Sequence, residues 1–160
     1  FRRYVQREAQ NLIKQMVRVR FIGDRRRFDN ERVDLMDELE LLTSENDLLN
    51  LTIALNYGGR DEVARAANRS AYDVQKGRLD PKTIDEEALP RYLDTYVLPK
   101  LDLVIRPSGE ARISHFLLWQ SAYAEYEFID ALWPDFTKTM FKQTLDNYVG
   151  CIRRYWGVAT

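Results

Sequence analysis

The sequence predicts an α/β fold with a mainly parallel sheet flanked by helices. Short aliphatic runs of the kind buried in parallel sheets recur along the chain, and helical stretches of ten or more residues separate them. Such spacing implies right-handed crossovers, and no internal repeat or low-complexity linker suggests another architecture. The 160 residues suffice for one sizeable core, so a single domain over 1–160 is expected.

Tyr4, Val5, Ala9, Leu12, Ile13 and Met16 follow three- and four-residue spacing, which predicts an amphipathic helix over 4–16. Val17, Val19 and Phe21 alternate with Arg18 and Arg20, predicting a strand to Ile22 that Gly23-Asp24 closes. Leu35, Leu39 and Leu42 mark a helix that ends at the polar stretch Thr43–Asp47. The run Leu51–Leu55 reads as a strand buried on both faces, broken by Gly58-Gly59. A polar-faced helix from about Asp61 to Lys76 follows, and Gly77 terminates it. A short helix around Glu86–Tyr96 leads into a strand at Leu101–Ile105, ended by Pro107. Phe116–Ala124 predicts a mostly apolar helix, Tyr126–Leu132 a strand, and Lys138–Arg154 a final helix. The chain opens with Phe1 in what reads as mid-helix and without an initiator Met, which suggests a fragment.

Composition narrows the function. Lys and Arg number 24 against 25 Asp and Glu, so no global field draws in nucleic acid. The single cysteine, Cys151, makes no intrachain disulfide and lacks neighbours at metal-ligand spacing, which leaves it a half-buried thiol. No apolar run is long enough to span a bilayer and no signal-peptide pattern is present, so a cytoplasmic protein with at most peripheral membrane contact is expected.

In an open parallel sheet, ligands lie beyond the carboxyl ends of the strands. The loop Arg106–Ser114 leaves such an end with two guanidiniums, and Ser114 stands where the next helix should begin. Arginine forks and a helix N-terminus suit a diphosphate. The alternative is an exposed loop whose arginines pair with carboxylates such as Glu110. Glu125, expected at the C-terminus of the following helix, would be disfavoured by the helix dipole without a cation, and Mg²⁺ near a diphosphate would supply one. A solvated or arginine-paired glutamate is the other reading. Asn56–Arg60 suits a phosphate cradle or simply a tight turn. Arg25-Arg26-Arg27 reads as a solvated turn, and His115 as a packing or hydrogen-bonding residue. Trp119, Tyr123, Phe128, Trp133 and Phe136 read as core.

The stretch Leu103–Glu110, with Arg112-Ile113-Ser114, Phe116–Gln120 and Ala122–Glu125, closely resembles the C-terminal signature of cis-prenyltransferases, as does Leu132–Phe136. Ile22-Gly23-Asp24 with Phe28, and Asn56–Arg60, resemble that family's preceding blocks in the same order, so the likeness covers nearly the whole chain. The resemblance implies cis addition of isopentenyl diphosphate units to an allylic diphosphate, usually farnesyl diphosphate, with Mg²⁺. Undecaprenyl diphosphate, a cell-wall lipid carrier, is the usual bacterial product, and the family is homodimeric. Carried over residue by residue, Arg106, Arg112, Ile113 and Ser114 would bind isopentenyl diphosphate and Glu125 would help place Mg²⁺.

No catalytic residue is expected within the chain, because the family's metal-binding aspartate belongs to an opening block that is absent here, together with the Ser-Glu-Asn block. Ala111 stands where some members have histidine, and Arg154-Tyr155-Trp156-Gly157 places Trp where Gly is usual. Two other classes fit the sequence less well. A non-catalytic partner subunit of a heteromeric prenyltransferase tends to lose these arginines and the glutamate, which this chain keeps. A nucleotide-binding module using Gly58-Gly59 lacks the acidic ribose-binding residue of the dinucleotide fingerprint.

Overall fold

The computed structural model describes residues 9–150, which fall into two compact units, one running to Leu98 and one beginning at Pro99. Cys151 and the Arg154–Gly157 element lie outside the described residues, as do residues 4–8 of the predicted first helix.

In the first unit, helical residues 9–14 (α1) precede strand β1 (Val17–Ile22), helix α2 (Asn30–Leu42), strand β2 (Leu49–Ala54) and helix α3 (Gly59–Gln75). Strands β1 and β2 are parallel, with Val17 opposite Leu49 and Ile22 opposite Ala54. The alternation read in Val17–Ile22 is realised: Val17 and Val19 are buried with Ala9 and Leu39, and Leu12, Phe21 and Ile53 pack against them. Asp29 caps α2, its side chain accepting from the Arg32 N–H, and Leu35, Met36 and Leu39 form the buried face.

Helix α3 begins without a side-chain cap but with Asp61 and Glu62 in its first turn, where carboxylates offset the helix dipole. Its buried positions are Gly59, Glu62, Ala66 and Ser70, a narrow and mostly small-residue face. Gly77, at φ +69°, follows its end. The predicted short helix over Glu86–Tyr96 is reduced to one 3₁₀ turn, Leu89–Tyr92.

Strand β2 departs from expectation. The sequence predicts burial on both faces, yet Leu49 is 57% exposed and Leu51 38%. Leu49 and Leu51 lie beside Val17 and Val19 in the register, so that face is covered over β1 and on β2 only near Ile53, which packs against the core.

The other edge of β1 is closed by side chains. Asn46 Nδ2 donates to the Val17 carbonyl at 2.8 Å and the Val19 N–H donates to Thr43 Oγ1 at 3.0 Å. The Phe21 N–H donates to Glu40 Oε1 at 2.7 Å, and Arg25 Nη2 donates to the Phe21 carbonyl at 3.3 Å. Groups that would otherwise seek another strand are therefore satisfied by the end of α2 and the turns that flank it.

In the second unit, strands β3 (Leu103–Pro107) and β4 (Glu125–Ile129) are parallel, with Leu103 opposite Glu125 and Arg106 opposite Phe128. Helix α4 (Lys138–Gly150) follows, and Asn147 Nδ2 donates to Glu127 Oε1 at 2.8 Å to tie it to β4. The predicted helix over Phe116–Ala124 is not formed. The segment runs through turns, with φ of +48° at Ser114, +41° at His115 and +47° at Leu117, and ends in a 3₁₀ turn, Gln120–Tyr123. A helix of about two turns needs a packed apolar face to persist, and here Phe116 and Trp119 remain exposed.

The aromatics expected in a core are also open: Tyr123 is 90% exposed and Trp133 71%, with Phe128 exposed as well. They stack locally instead, Tyr126 on Phe128 and Trp133 on Phe136. Two short strands and one helix enclose too little volume to bury side chains of this size. Among the described residues no helix is long and apolar enough to cross a membrane.

Candidate functional site

The loop after β3 is built by a reversal of the backbone. Ser108 and Gly109 take φ of +103° and +68°, and their N–H groups donate to the carbonyls of Ala131 and Ile129 at 2.7 and 3.1 Å. A Cβ on Gly109 would lie 2.8 Å from Asp130 Oδ1, so glycine suits the position on both counts. The reversal returns Glu110 to the end of β3. Arg106 Nη2 donates to Glu110 Oε2 at 2.5 Å, while Arg112 Nη2 reaches Oε1 at 2.5 Å and Arg112 Nε reaches Oε2 at 3.2 Å.

One carboxylate thus sits between two guanidiniums. The hydrogen bond from Arg106, assisted by the charge of Arg112, holds the Glu110 carboxyl below the ordinary glutamate range. Arg106 is half-buried and Arg112 is 69% exposed. The pairing with Glu110 that stood as the alternative reading is present. It also shows that both arginines reach a single anion at the carboxyl end of a strand.

The other predicted positions are placed differently. Ile113 and Ser114 are exposed beyond the two arginines, and Ser114 begins no helix, so it neither caps one nor presents a helix N-terminus. His115 is exposed on the same turn rather than packed inside a helix.

Glu125 is the first residue of β4, its N–H donating to the Asp102 carbonyl at 2.9 Å. The helix-end argument for a cation beside it therefore does not apply. Its register partner is Leu103, which sets its backbone about 10 Å back along the sheet from Arg106 at the usual rise per strand residue. The structure brings Arg106, Arg112 and Glu110 together and leaves Glu125 at the other end of the strand pair.

In the first unit, the carboxyl ends of β1 and β2 are also held by polar contacts. Gly23, at φ +116°, lies so close to the Leu55 carbonyl that a Cβ would approach it to 2.0 Å. The Gly23 N–H donates to Asp94 Oδ2 at 3.2 Å, and Asn56 Nδ2 donates to the Asp24 carbonyl at 2.9 Å. Arg65 meets both Asp94 oxygens at 2.9 and 2.8 Å, and Arg69 adds a contact at 2.9 Å. The Asp94 N–H donates to Glu62 Oε1, and Glu62 Oε2 accepts from the Tyr57 hydroxyl at 2.6 Å.

A groove lined in part by Asp24, Arg26, Arg65, Arg69 and Asp94 lies here. Its guanidiniums are all engaged by carboxylates, Arg26 with Asp24 and Arg65 additionally with Asp61. Arg26 holds the Asp24 carboxyl down to about 2. Asn56 and Tyr57 thus brace a turn that leads into α3 at Gly59, and Arg25 is bound to Glu40 and Asp37. Sequence reading singled out neither Asp94 nor Glu62. The acidic first turn of α3 and an aspartate within an apolar stretch were the available signals.

A family model described as putative undecaprenyl diphosphate synthase matches residues 1–156. A ditrans,polycis-undecaprenyl-diphosphate synthase, (2E,6E)-farnesyl-diphosphate specific, from Xylella fastidiosa is 46% identical over 149 residues, covering 93% of this chain and 58% of that protein. Isoprenyl transferase 2 of Bradyrhizobium diazoefficiens is 41% identical over 157 residues, covering 98% of this chain and 62% of its own length. The chain therefore spans less than two thirds of these relatives.

Among solved structures, lavandulyl diphosphate synthase from Lavandula x intermedia, in complex with dimethylallyl diphosphate, superposes with a TM-score of 0.87 at 31% identity. It covers 94% of this chain and 66% of the lavender chain. A probable undecaprenyl diphosphate synthase from Campylobacter jejuni gives 0.80 at 35% identity, over 95% of this chain and 69% of the other. With the family model matching residues 1–156 and relatives of 41–46% identity covering more than nine tenths of it, the chain belongs to the undecaprenyl diphosphate synthase family of cis-prenyltransferases.

Proposed function

We propose that this chain is the part of a cis-prenyltransferase that grips isopentenyl diphosphate, in an enzyme that adds such units in cis to farnesyl diphosphate to make a long polyprenyl diphosphate such as undecaprenyl diphosphate. The observation that carries the reading is the convergence of Arg106 and Arg112 on one anion at the carboxyl end of β3. A diphosphate offers several oxygens to the same two forks, and charge-assisted bonds of this kind bind strongly and fix orientation. Ser114 contributes a hydroxyl beyond Arg112, and Ile113 an apolar contact beside it.

The chemistry asks for positioning: the double bond of isopentenyl diphosphate must lie against the allylic carbon as its diphosphate departs. Anchoring the diphosphate end on a loop braced against β4 fixes the reacting end. Glu125 is assigned to Mg²⁺ on the family resemblance and as a hard oxygen donor alone, because its backbone starts β4 about 10 Å from Arg106 and apart from the two guanidiniums. When bound, the ion supplies neutralisation of diphosphate charge. The full-length protein is read as a cytoplasmic homodimer with peripheral membrane contact through its lipid product. The retained arginines and glutamate favour an enzyme subunit over a non-catalytic partner.

In the full-length protein, Arg112→Ala should weaken isopentenyl diphosphate binding by about 1.5–3 kcal/mol, the scale of a charge-assisted hydrogen bond. Calorimetry showing unchanged affinity removes the assignment. Glu125→Gln should raise the Mg²⁺ concentration needed for turnover, and a normal Mg²⁺ response removes Glu125 from the site.

A further inference from the structure

We propose that Glu110 is a positioning residue for the diphosphate site, holding the Arg106 and Arg112 guanidiniums side by side before ligand arrives and so setting the affinity for isopentenyl diphosphate. The proposal rests on the reading of those two arginines as the diphosphate grip.

Two guanidiniums, one at the end of β3 and one on the loop that follows, repel each other, and a long exposed side chain such as that of Arg112 has wide rotamer freedom. Glu110 counters both tendencies. It takes Arg112 side-on through Nε and Nη2 and Arg106 through Nη2, so each fork keeps further N–H donors for a ligand. The triad retains a net positive charge and still favours an anion. No helix produces this arrangement: the left-handed residues Ser108 and Gly109 bring position 110 back beside position 106. Their N–H groups are anchored on the carbonyls of Ala131 and Ile129, so the carboxylate is mounted on a loop fixed to the end of β4.

A carboxylate in this place also resembles the ligand, and a competing role follows from that: an internal anion that must be displaced. The balance of magnitudes decides between the two. Exposed ion pairs are individually worth little, so sharing the guanidiniums with a diphosphate costs little. Ordering two arginine side chains only at the moment of binding costs more. Positioning therefore outweighs competition.

The test uses the full-length protein, with isopentenyl diphosphate as the probe in both calorimetry and steady-state kinetics. Glu110→Ala should raise the Kd and KM for isopentenyl diphosphate roughly tenfold, the order expected when two rotamer-rich side chains are no longer ordered beforehand. The KM for farnesyl diphosphate and the melting temperature should stay unchanged. Glu110→Gln, whose carboxamide oxygen still accepts from one guanidinium, should recover part of the loss. Tighter binding in either variant overturns the proposal in favour of competition. Unchanged binding overturns it too, as does a fall in melting temperature with both KM values rising together. Arg106→Ala and Arg112→Ala run in parallel separate the two levels. Unchanged affinity in those variants removes the diphosphate site itself, whereas their loss of affinity beside a silent Glu110→Ala removes only the positioning role.

Discussion

Each unit holds a cluster of two arginines around one carboxylate, and the two clusters do different work. At Asp94 the carboxylate side chain is 11% exposed and accepts from Arg65, Arg69 and the Gly23 N–H, while its own N–H is bound to Glu62. At Glu110 the carboxylate is 43% exposed and its partners are the two guanidiniums alone, among the described residues. The first carboxylate joins the turn after β1, helix α3 and the segment beyond the 3₁₀ turn at Leu89–Tyr92. The second joins nothing but the arginines. The Asp94 cluster is more buried, involves backbone and has Asp61 as a second carboxylate on Arg65, which makes it a brace, whereas the Glu110 cluster keeps a net positive charge and is open to a ligand.

The largest effect should come from breaking the brace. Asp94→Ala takes the acceptor from the Gly23 N–H and the carboxylate partner from Arg69, leaves Arg65 with Asp61 alone, and should lower unfolding free energy by about 2–4 kcal/mol. A denaturant midpoint unchanged from the parent would show the brace to be idle. Partial burial alone would raise the Asp94 pKa, but the hydrogen bonds from Arg65 and then Arg69 overcome it and leave the carboxyl below its ordinary range. The stabilisation is therefore complete above the unfolded-chain pKa and is lost as pH falls through the lower folded value. Denaturation followed between neutral pH and strong acid should show this acid limb in the parent and a flatter one in Asp94→Asn. An equally steep limb in the variant would assign it to other carboxylates.

Thr43→Val is the intermediate case, since it keeps the shape of a fully buried residue and removes the oxygen that accepts the Val19 N–H and donates to the Leu39 carbonyl. An orphaned buried donor costs about 1–3 kcal/mol, and a loss below that range would mean that β1 finds another acceptor. The smallest effect belongs to the open cluster: Arg112→Ala should change stability by no more than about 0.5 kcal/mol. A larger thermal shift would erase the contrast between the clusters.

The elements legible in the sequence were those whose patterns are set by local neighbours. The alternation of Val17–Ile22 and the helix ended by Gly77 are realised, and both strand pairs are parallel. The Arg106–Glu110 and Arg112 pairing was legible as an alternative because the residues are close along the chain. The misreadings involve packing at a distance. Phe116–Ala124 has helical spacing, but spacing alone does not supply a surface to bury Phe116 and Trp119. The same error carried over to Glu125, whose supposed helix end is the start of a strand. Asp94 escaped notice because its partners, Gly23, Arg65 and Arg69, lie far from it in sequence.

The side-chain plugs along β1 give the first unit a polarity of assembly. With Asn46, Thr43, Glu40 and Arg25 occupying its outer edge, β1 offers no template to an incoming chain. Any lengthening of that sheet, whether by a neighbouring segment or by illicit association between molecules, has to proceed from β2, whose exposed Leu49 and Leu51 make that side adhesive. The sheet is one-sided in the manner of a zipper with a stop sewn at one end.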